Sequence, residues 1–452
     1  MEPSVVSPGP RLVIEALEDA GFEAWLVGGA VRDGLLGRSA SDADVASSAL
    51  WPQAAQALRR RGVAVHETGT AHGTVTAVAQ REPVEVTTFR SDGAYSDGRR
   101  PDEVRFVGSI EEDLARRDFT VNAMAYHPQR GLCDPFGGQR DVLLGVIRAV
   151  GDPAARFSED GLRVLRACRF CAQLGFTVED GTLAAMRSCK SMVLNVATER
   201  VTDELNRLLT APSAGKALLE TWDVLAVVLP ELVAMEGLDQ RNPHHCYDVL
   251  AHTARVVDGV APNALDRWLA LLHDVAKPAA FFVDEKGVGH FYSHGRLGQA
   301  MAGEVLGRFC FSRAFVDDVC RLVAIHDDAT PTTEKGAARL VRSLGGRFDL
   351  ARALLGLRRA DGLAQAAGGA QRAEAATRAL ELLDAVRATG EPVGVGQLAI
   401  DGNDVMACGL AQGPQVGAVL RELLDQVMEG SVPNRRDDLL ALVRAQGKEM
   451  RR

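Results

Sequence analysis

The sequence changes character near Gly151, and this change restricts the possible folds more than any other feature. Before it, short apolar runs alternate with helix-like segments, a pattern typical of an α/β domain. After it, apolar residues recur every three or four positions, which predicts helices separated by prolines. We therefore predict a head at 1–150, a helical neck at 151–215, a helical body at 216–365 and a helical tail at 366–452.

Composition is that of an ordinary globular protein and narrows the choice of partners. Of 452 residues, 46% are hydrophobic and 25% charged, and no apolar run approaches the roughly 18 residues of a membrane span. Eight scattered cysteines and the lack of a signal-peptide pattern favour a cytoplasmic enzyme with reduced thiols and no membrane association. The formal net charge of −9 argues against general attraction to nucleic acid, so RNA contact needs a local basic surface.

One stretch of the head, LVGGAVRDGLLGRSASDADV at 26–45, combines a Gly-Gly turn with two aspartates. Gly28 and Gly29 open a helix-like segment after an apolar run, where backbone N–H groups can approach a phosphate. Asp42 and Asp44 are two residues apart, so a strand places both carboxylates on one face. Such a pair suits Mg²⁺, and the alternative is a surface turn with solvated aspartates. The surrounding pattern favours nucleotidyl transfer.

A second motif, RRDFTVN at 116–122, places an arginine beside polar side chains. Arg117 can neutralise phosphates, while Asp118 and Asn122 can bond a ribose or orient that arginine. The alternative interpretation is a helix start that Asp118 or Thr120 caps.

A third motif, RFSEDGLRVLRACRF, has a charged residue at every third position and a predicted helix cap at Ser158. The spacing predicts a stripe along one side of a helix, formed by Asp160, Arg163, Arg166 and Arg169. Asp and Arg together offer a nucleobase an acceptor and donors, and further arginines suit a triphosphate. Salt bridging on a solvated face is the alternative.

Taken in order, these motifs resemble those of class II tRNA nucleotidyltransferases, in the polymerase-β-like superfamily that also contains bacterial poly(A) polymerases. The resemblance rests on GGAVRDGLLGR…DAD, TFRSDGAYSDGRRP, EEDLARRDFTVNAMA, DPFGG, RFSEDGLRVLRACRF and ERVTDELNRLL, and it returns in the tail at 400–430. It implies that Mg²⁺ binds Asp42 and Asp44, with Glu85 as a further carboxylate. The implied nucleotide-binding residues are Gly28, Gly29, Arg32, Arg117, Asp160, Arg163, Arg166 and Arg169.

The same resemblance implies addition of C, C and then A to the 3′ end of tRNA, without a nucleic-acid template. CTP and ATP are the implied substrates, Asp160 and Arg163 the implied readers of the base, and pyrophosphate the product. Relatives that add only CC lack a flexible loop, and a polar loop is present here at 90–105, which favours CCA or terminal A addition. The motifs leave A addition and poly(A) synthesis open.

The body contains a second group of metal-binding residue types on predicted helices. Histidine and carboxylate groups suit a transition metal or Mg²⁺. Their order resembles the HD phosphohydrolase superfamily, which implies the ligands His252, His273, Asp274 and Asp361, with His294 and His326 for a second metal. A hydrolase acting on RNA ends is one hypothesis. The alternatives are a metal-free helical support, and an HD phosphohydrolase whose head only binds RNA.

Arginines also cluster in the body and suggest where tRNA phosphates bind. The cluster consists of Arg339, Arg342, Arg347, Arg352, Arg358 and Arg359. Recognition of a tRNA acceptor arm by shape needs phosphate contacts more than base contacts. Ordinary solvated helix faces are the alternative.

Overall fold

The computed structural model describes residues 6–38, 43–70, 73–92, 104–241, 246–366, 368–390 and 392–449. The chain divides into two compact units, Met1–Val233 and Ala234–Arg452. Within the described ranges, no helix is both long and apolar enough to cross a membrane.

The first unit contains eleven described strands and ten described α-helices. The strands are β1 (Ala24–Val27), β2 (Ala43–Ser47), β3 (Ala64–His66), β4 (Thr74–Ala79), β5 (Glu82–Thr88), β6 (Arg90–Asp92), β7 (Val104–Phe106), β8 (Ala125–His127), β9 (Gly131–Cys133), β10 (Val146–Ile147) and β11 (Thr177–Val178). The helices are α1 (Pro8–Asp19), α2 (Gly29–Leu35), α3 (Trp51–Arg60), α4 (Ile110–Ala115), α5 (Gly138–Leu144), α6 (Pro153–Glu159), α7 (Leu162–Leu174), α8 (Asp180–Cys189), α9 (Thr198–Leu209) and α10 (Ala214–Leu225).

Seven of these strands form one sheet, in the order β3-β4-β5-β2-β1-β8-β9. Neighbouring strands are antiparallel except β2 and β5, which run parallel. The predicted α/β head is thus confirmed, as a mixed sheet. Strands β6 and β7 pair at the two ends of the predicted polar loop, whose middle lies outside the described residues.

Each face of the sheet has its own apolar cover, because side chains alternate along each strand. Helices α1 and α3 pack against β4 and β5. On the other side, Trp25, Val27 and Ala46 share a buried cluster with Phe89 and Leu114. This second cluster lies on the same side as Asp44, because Ala46 is two residues further along β2. The rigid core therefore extends to the base of the predicted site.

The junction of α6 and α7 corrects the predicted helical stripe. Asp160 has extended backbone (φ −142°, ψ 108°), so it precedes the helix that carries the three arginines. Its carboxylate instead accepts a hydrogen bond of 3.0 Å from the N–H of Leu162, the first residue of α7. The predicted cap, Ser158, is also wrong, because it lies inside α6 and donates to the carbonyl of Ala154.

The second unit is almost entirely helical, which confirms the prediction for the later part of the chain. Helix α11 (Leu232–Met235) spans the boundary, and a short hairpin pairs β12 (Phe282–Val283) with β13 (Gly289–His290). The remaining helices are α12 (Val249–Gly259), α13 (Ala264–Leu272), α14 (Lys277–Ala280), α15 (His294–Gly307), α16 (Arg313–Ala324), α17 (Glu334–Ser343), α18 (Phe348–Leu363), α19 (Gly369–Thr389), α20 (Gly402–Ala407), α21 (Pro414–Met428) and α22 (Arg436–Glu449).

Helix α18 occupies the centre of this unit, where it contacts α12, α13, α16, α17 and α19. Trp268 of α13 is fully buried and packs edge-on against Phe311. The last three helices form a separate apolar cluster that includes Leu423 and Leu439. Packing of several helices around α18 positions the predicted histidines, because His252 lies in α12, His273 directly follows α13 and His326 follows α16.

Gly138, from the DPFGG motif, should tolerate no side chain. A Cβ there would lie 2.2 Å from the carbonyl oxygen of Thr120 and 2.8 Å from Cγ of Met124. We expect Gly138→Ala to lower the free energy of unfolding of the head by about 1–3 kcal/mol, because overpacking displaces the RRDFTVN segment. Urea unfolding measures this. Gly108→Ala is the control, since its Cβ would meet nothing within 4 Å, and equal losses in both variants would contradict the prediction.

Candidate active site and metal centre

The register of the sheet places two carboxylates side by side. Asp44 of β2 lies opposite Glu85 of β5 in the parallel pair and opposite Val27 of β1. Residues directly opposite on neighbouring strands point to the same face, about 5 Å apart. Glu85 is exposed and Asp44 is half-buried. Asp42 lies outside the described residues. The described part of the site thus contains two acidic side chains on one face.

The Gly-Gly turn brings a cation to these carboxylates. Gly28 has φ +70° and immediately precedes α2. A Cβ at Gly28 would lie 2.9 Å from Nη1 of Arg117 and 3.9 Å from Oδ2 of Asp44. Both the backbone conformation and the lack of space therefore require glycine. The turn leaves a gap bordered by one guanidinium and one carboxylate. A guanidinium can bind a phosphate and a carboxylate can bind a metal ion, so the gap has both groups that a site for a metal-bound phosphate needs.

Asp113 positions Arg117, and the sequence analysis missed it. Its two carboxylate oxygens accept hydrogen bonds from Arg116 and Arg117, at 2.8 and 3.0 Å. Burial alone raises the pKa of Asp113, but the charges of these arginines outweigh burial, so the net shift is downward. The spacing of four residues on a helix was the available signal.

A chain of buried hydrogen bonds connects α2 to the neck helix α7. Arg32 donates to Oδ1 of Asn122 at 2.6 Å, and Asn122 donates to Oδ1 of Asp118 at 3.2 Å. Arg166 then donates through Nε to Oδ2 of Asp118 at 2.8 Å. Burial raises the pKa of Asp118, but Arg166 and the hydrogen bonds outweigh it and lower that pKa to about 2. Three of the predicted nucleotide-binding motifs are therefore physically coupled.

The arginines of α7 are held by different carboxylates. Arg169 donates to Glu204 of α9 at 2.5 Å, and its guanidinium lies 4.0 Å from the centre of the Phe170 ring. Arg163 donates to Glu159 and to the carbonyl of Arg116. These contacts hold the arginines in fixed orientations.

Asp160 and Arg163 have separate partners. Oδ2 of Asp160 accepts from Arg200 of α9 at 3.0 Å, whereas Arg163 bonds to Glu159. Arg200 belongs to the ERVTDELNRLL motif. The acceptor and the donor are thus oriented independently of each other, and each keeps capacity for further hydrogen bonds.

The second unit brings the predicted histidines and aspartates together. Asp274 is the common neighbour, because Nε2 of His273 lies 3.1 Å from its Oδ2, and Nε2 of His294 and His326 lie 3.5 and 3.7 Å from its Oδ1. His252 lies 3.6 Å from Asp274. Two groups among the described residues can hold a metal ion: His252 with His273 and Asp274, and Asp274 with His294 and His326.

Three of these histidines present the same nitrogen to the centre. Nδ1 of His273, His294 and His326 lies 2.8–2.9 Å from a backbone carbonyl three residues earlier. A carbonyl only accepts, so Nδ1 carries the hydrogen and Nε2 keeps its lone pair for a metal. Nε2 of His294 and of His326 are 3.1 Å apart. Two lone pairs at that distance repel unless a cation or proton lies between them, so the donor set fits a metal ion.

Asp361 and Lys277 complete the surroundings of Asp274. Oδ1 of Asp361 lies 3.0 Å from Nε2 of His252, and Nζ of Lys277 lies 2.7 Å from Asp274. Burial raises the pKa of Asp274, but His273 and Lys277 outweigh burial and hold that pKa well below its ordinary value. All six residues predicted from the HD resemblance are therefore close together. Lys277 was missed, although it follows Asp274 by one helical turn.

A cavity of about 300 Å³ opens beside this centre. Its lining includes Asp274, Lys277, His294, Asp361 and Arg372. The cavity thus joins metal-binding groups to two cationic side chains, a combination suited to a phosphate ester.

Four arginines of the body, predicted to contact RNA, already have partners within the second unit. Arg342 pairs with Asp425, Arg347 with Asp318 and Asp349, and Arg352 with Asp384. Arg358 is buried and donates to the carbonyls of Ile325, His326 and Ala329. Arg358 therefore stabilises the segment that carries His326.

Asp118 should contribute about 2 kcal/mol to the stability of the head, because its pKa falls from 3.8 to about 2 on folding. A lowered pKa gives stability that is present above pH 4 and is lost as the pH falls towards 2. We expect Asp118→Asn to be less stable than the parent by about this amount at pH 7, with the difference shrinking below pH 4. Urea unfolding across pH measures it.

Asp203→Asn is the matched control, because Asp203 is 57% exposed and forms a surface ion pair with Arg207. Its effect should stay within about 0.5 kcal/mol at every pH. A difference between Asp118→Asn and the parent that is equally large at pH 2 and pH 7 would contradict the assignment.

Comparisons with known proteins match family models to most of the chain. A family model described as Poly A polymerase head domain matches residues 24–148. A model described as a probable RNA and SrmB-binding site of polymerase A matches 175–235, and an HD domain model matches 244–373. These three matches follow the order of the predicted head, neck and body.

Full-length relatives are CCA-adding enzymes. Those of Levilactobacillus brevis and Limosilactobacillus fermentum are 34% and 33% identical over 96% and 97% of this chain, and 96% of each relative is covered. The crystal structure of the Bacillus stearothermophilus CCA-adding enzyme in complex with CTP matches with a TM-score of 0.70 and 28% identity, covering 98% of both chains.

The Thermotoga maritima CCA-adding enzyme complexed with tRNA has the same fold, with a TM-score of 0.55 and 20% identity, covering 96% of this chain and 94% of that one. The resemblance inferred from the motifs is confirmed by the full-length relatives. This chain belongs to the CCA-adding enzymes, a family of nucleotidyltransferases.

Proposed function

We propose that this chain adds C, C and A in turn to the 3′ end of tRNA, using CTP and ATP and releasing pyrophosphate. The observation that carries this proposal is the close approach of Arg117 and Asp44 at Gly28. Relatives solved with CTP and with tRNA support these substrates. The same geometry serves any single nucleotide addition, so A addition and poly(A) synthesis are the outcomes that the experiment must exclude.

Asp42 and Asp44 hold Mg²⁺ in this proposal, with Glu85 as a neighbouring carboxylate. Mg²⁺ supplies activation of the RNA 3′-hydroxyl and neutralises charge at the α-phosphate and pyrophosphate. Carboxylates on adjacent strands suit this because the sheet fixes their spacing. Asp44 is the member of the pair whose position the structure describes.

The glycine turn and the arginines bind the triphosphate. Gly28 and Gly29 let the start of α2 approach phosphate oxygens, and Arg117 supplies positive charge beside the turn. Asp113 holds Arg117 in place, and Asn122 holds Arg32. Fixed donors need no reorganisation as charge develops on the phosphate, which is the main electrostatic contribution available here.

Asp160 and Arg163 select the base. A carboxylate accepts and a guanidinium donates, so together they match the mixed edge that cytosine and adenine share. Arg200 and Glu159 orient the two side chains separately. Arg166 and Arg169 are assigned to the triphosphate or the base, and their carboxylate partners leave other N–H groups of each guanidinium available.

The second site favours a further activity, hydrolysis of a phosphate ester at an RNA end. The specific observation is the 3.1 Å approach of the Nε2 atoms of His294 and His326 beside Asp274. His252, His273 and Asp361 complete the ligand set for a transition metal or Mg²⁺. A bound metal supplies an activated water at neutral pH. A 2′,3′-cyclic phosphodiester or a terminal phosphomonoester is the proposed substrate.

Asp44→Asn should reduce CTP and ATP incorporation by on the order of 10³-fold or more, because a metal-binding carboxylate stabilises the transition state by several kcal/mol. The assay uses transcripts of tRNA that lack all three terminal nucleotides, lack only the last, or are mature, with one labelled nucleotide at a time. The parent protein should add C, C and then A, and stop.

Asp19→Asn is the matched control in the same unit, because Asp19 is 63% exposed and forms a surface ion pair with Arg61. It should keep parental rates. Long A tails on unrelated RNA would overturn CCA addition, and normal incorporation by Asp44→Asn would overturn the assigned role of Asp44.

His273→Ala should reduce metal-dependent hydrolysis of an RNA with a 2′,3′-cyclic phosphate end by at least about 100-fold, while CCA addition continues. Asp44→Asn should show the reverse pattern. Hydrolysis is measured with Mg²⁺, Mn²⁺, Co²⁺, Ni²⁺ and Zn²⁺ in turn. His66→Ala is the control, since His66 is an exposed residue of the head. No hydrolysis of cyclic or monoester ends with any of these metals would exclude the second activity.

A further inference from the structure

We propose that the cavity of the second unit takes a nucleotide whose base stacks on an exposed aromatic platform made of Phe282, His290 and Tyr292. The inference deepens the second proposed activity and rests on the proposal that this cavity binds a phosphate group. It adds the base as a recognised part of the substrate.

The β12–β13 hairpin builds the platform. Phe282 and His290 are directly opposite in the register, with ring centres 5.3 Å apart and planes at 27°. Tyr292 follows His290 by two residues, and their rings are 5.3 Å apart and nearly parallel at 12°. Phe282 and Tyr292 are 5.4 Å apart. The three rings therefore form one continuous aromatic surface.

The platform is exposed although it is apolar. Tyr292 is 70% exposed and Phe282 is 44% exposed. A large ring left in water forgoes its hydrophobic contribution, so a contiguous exposed patch of rings marks a binding surface. Nε2 of His290 lies 2.9 Å from Oδ2 of Asp284, which fixes the central ring. The surface is thus held in place before any ligand arrives.

A second layer of rings anchors the platform to the protein. Phe291 lies between His290 and Tyr292 in the chain, and its ring stacks on that of Phe281, with ring centres 5.3 Å apart and planes at 28°. Nζ of Lys277 lies 5.3 Å from the centre of the Phe291 ring. Lys277 also contacts Asp274, so one side chain links the aromatic layer to the metal-binding carboxylate.

The backbone joins the platform to the metal centre within two residues. Tyr292 and His294 both line the cavity, and Ser293 lies between them. Ser293 has φ +61°, a left-handed conformation that residues other than glycine seldom adopt. Such strain persists where the surroundings require it, commonly at functional sites. The turn at Ser293 sets where the tyrosine ring and the imidazole lie relative to each other.

The volume of the cavity indicates which part of the nucleotide lies inside it. About 300 Å³ is at the small end of ligand pockets. It suits a phosphate and its sugar beside Lys277 and Arg372, and the base then extends to the wall that Tyr292 lines. Every base has a π face, so an aromatic platform accepts any of the four. A free nucleoside monophosphate and the 3′ end of an RNA share this chemistry.

The experiment measures binding of 2-aminopurine riboside 3′-monophosphate to the full chain in Mn²⁺, by the quenching that stacking causes. Signal that persists in His273→Ala does not depend on the candidate metal centre and is subtracted. We expect Tyr292→Ala to raise the Kd of the probe by roughly 5- to 150-fold and to abolish the quenching of its fluorescence. Tyr292→Phe keeps the ring and should stay within about twofold of the parent. Leu194→Ala removes an exposed apolar side chain of the other unit and should have no effect.

Ribose 5-phosphate, which has no base, separates the two proposals. It should compete with the probe equally well in the parent and in Phe282→Ala. If it competes but Tyr292→Ala binds the probe as the parent does, the platform is overturned and the phosphate site stands. If neither ligand binds in a His273-dependent manner, the second activity fails as well.

Tighter binding of an RNA trinucleotide ending in 2-aminopurine 3′-phosphate identifies RNA ends as the ligand, whereas equal binding identifies free nucleotides.

Discussion

The buried contact between Asp118 and Arg166 is the interaction on which the head site depends. It connects the RRDFTVN segment to the neck helix, and through Asn122 it reaches Arg32 on α2. A carboxylate without a cation in this position would be costly, since burial alone raises its pKa. The glycine turn at the start of α2 and the neck helix α7 are therefore connected by one shared network of hydrogen bonds. A change in the position of one of these helices is expected to affect the other.

The candidate metal centre of the second unit also contains a buried aspartate, but the side chains that compensate its charge are of a different kind. Asp274 is buried among His252, His273, His294 and His326, and Lys277 offsets part of its charge. In the head, arginines compensate the buried acids, Arg166 for Asp118 and both Arg116 and Arg117 for Asp113. In the second unit, four imidazoles surround Asp274, and together these side chains can hold a metal cation. In both arrangements the buried carboxylate is compensated by side chains from neighbouring helices and loops.

Much of this molecule could be predicted from the sequence, because motif spacing translates directly into strand and helix geometry. Glu85, which the resemblance implies as a further carboxylate, lies opposite Asp44 in the parallel pair of β2 and β5. The stripe through Asp160 was wrong, because extended backbone there ends the helical register that the spacing assumed. Asp113 and Lys277 were missed, since single charges one turn from a motif are common on solvated helices.

Long-range contacts set the remaining limit of the sequence analysis. Three rings at 282, 290 and 292 gave no pattern along the chain, because the hairpin register joins them only after folding. Likewise, the pairing of Asp160 with Arg200 joins residues 40 positions apart. Local spacing predicted which residue types gather at each site, while partner choice depended on tertiary packing.

The ion pairs of the body arginines have a consequence for RNA recognition. Arg342, Arg347 and Arg352 each already hold an aspartate. An RNA phosphate that approaches such an arginine replaces one anion with another, so fewer counterions are released than a count of arginines suggests. Together with a net charge of −9, this exchange favours discrimination by the shape of the helical surface over attraction by charge. When such a phosphate leaves, the aspartate that it displaced can return to the arginine, so the ion pair re-forms without an ion from solution.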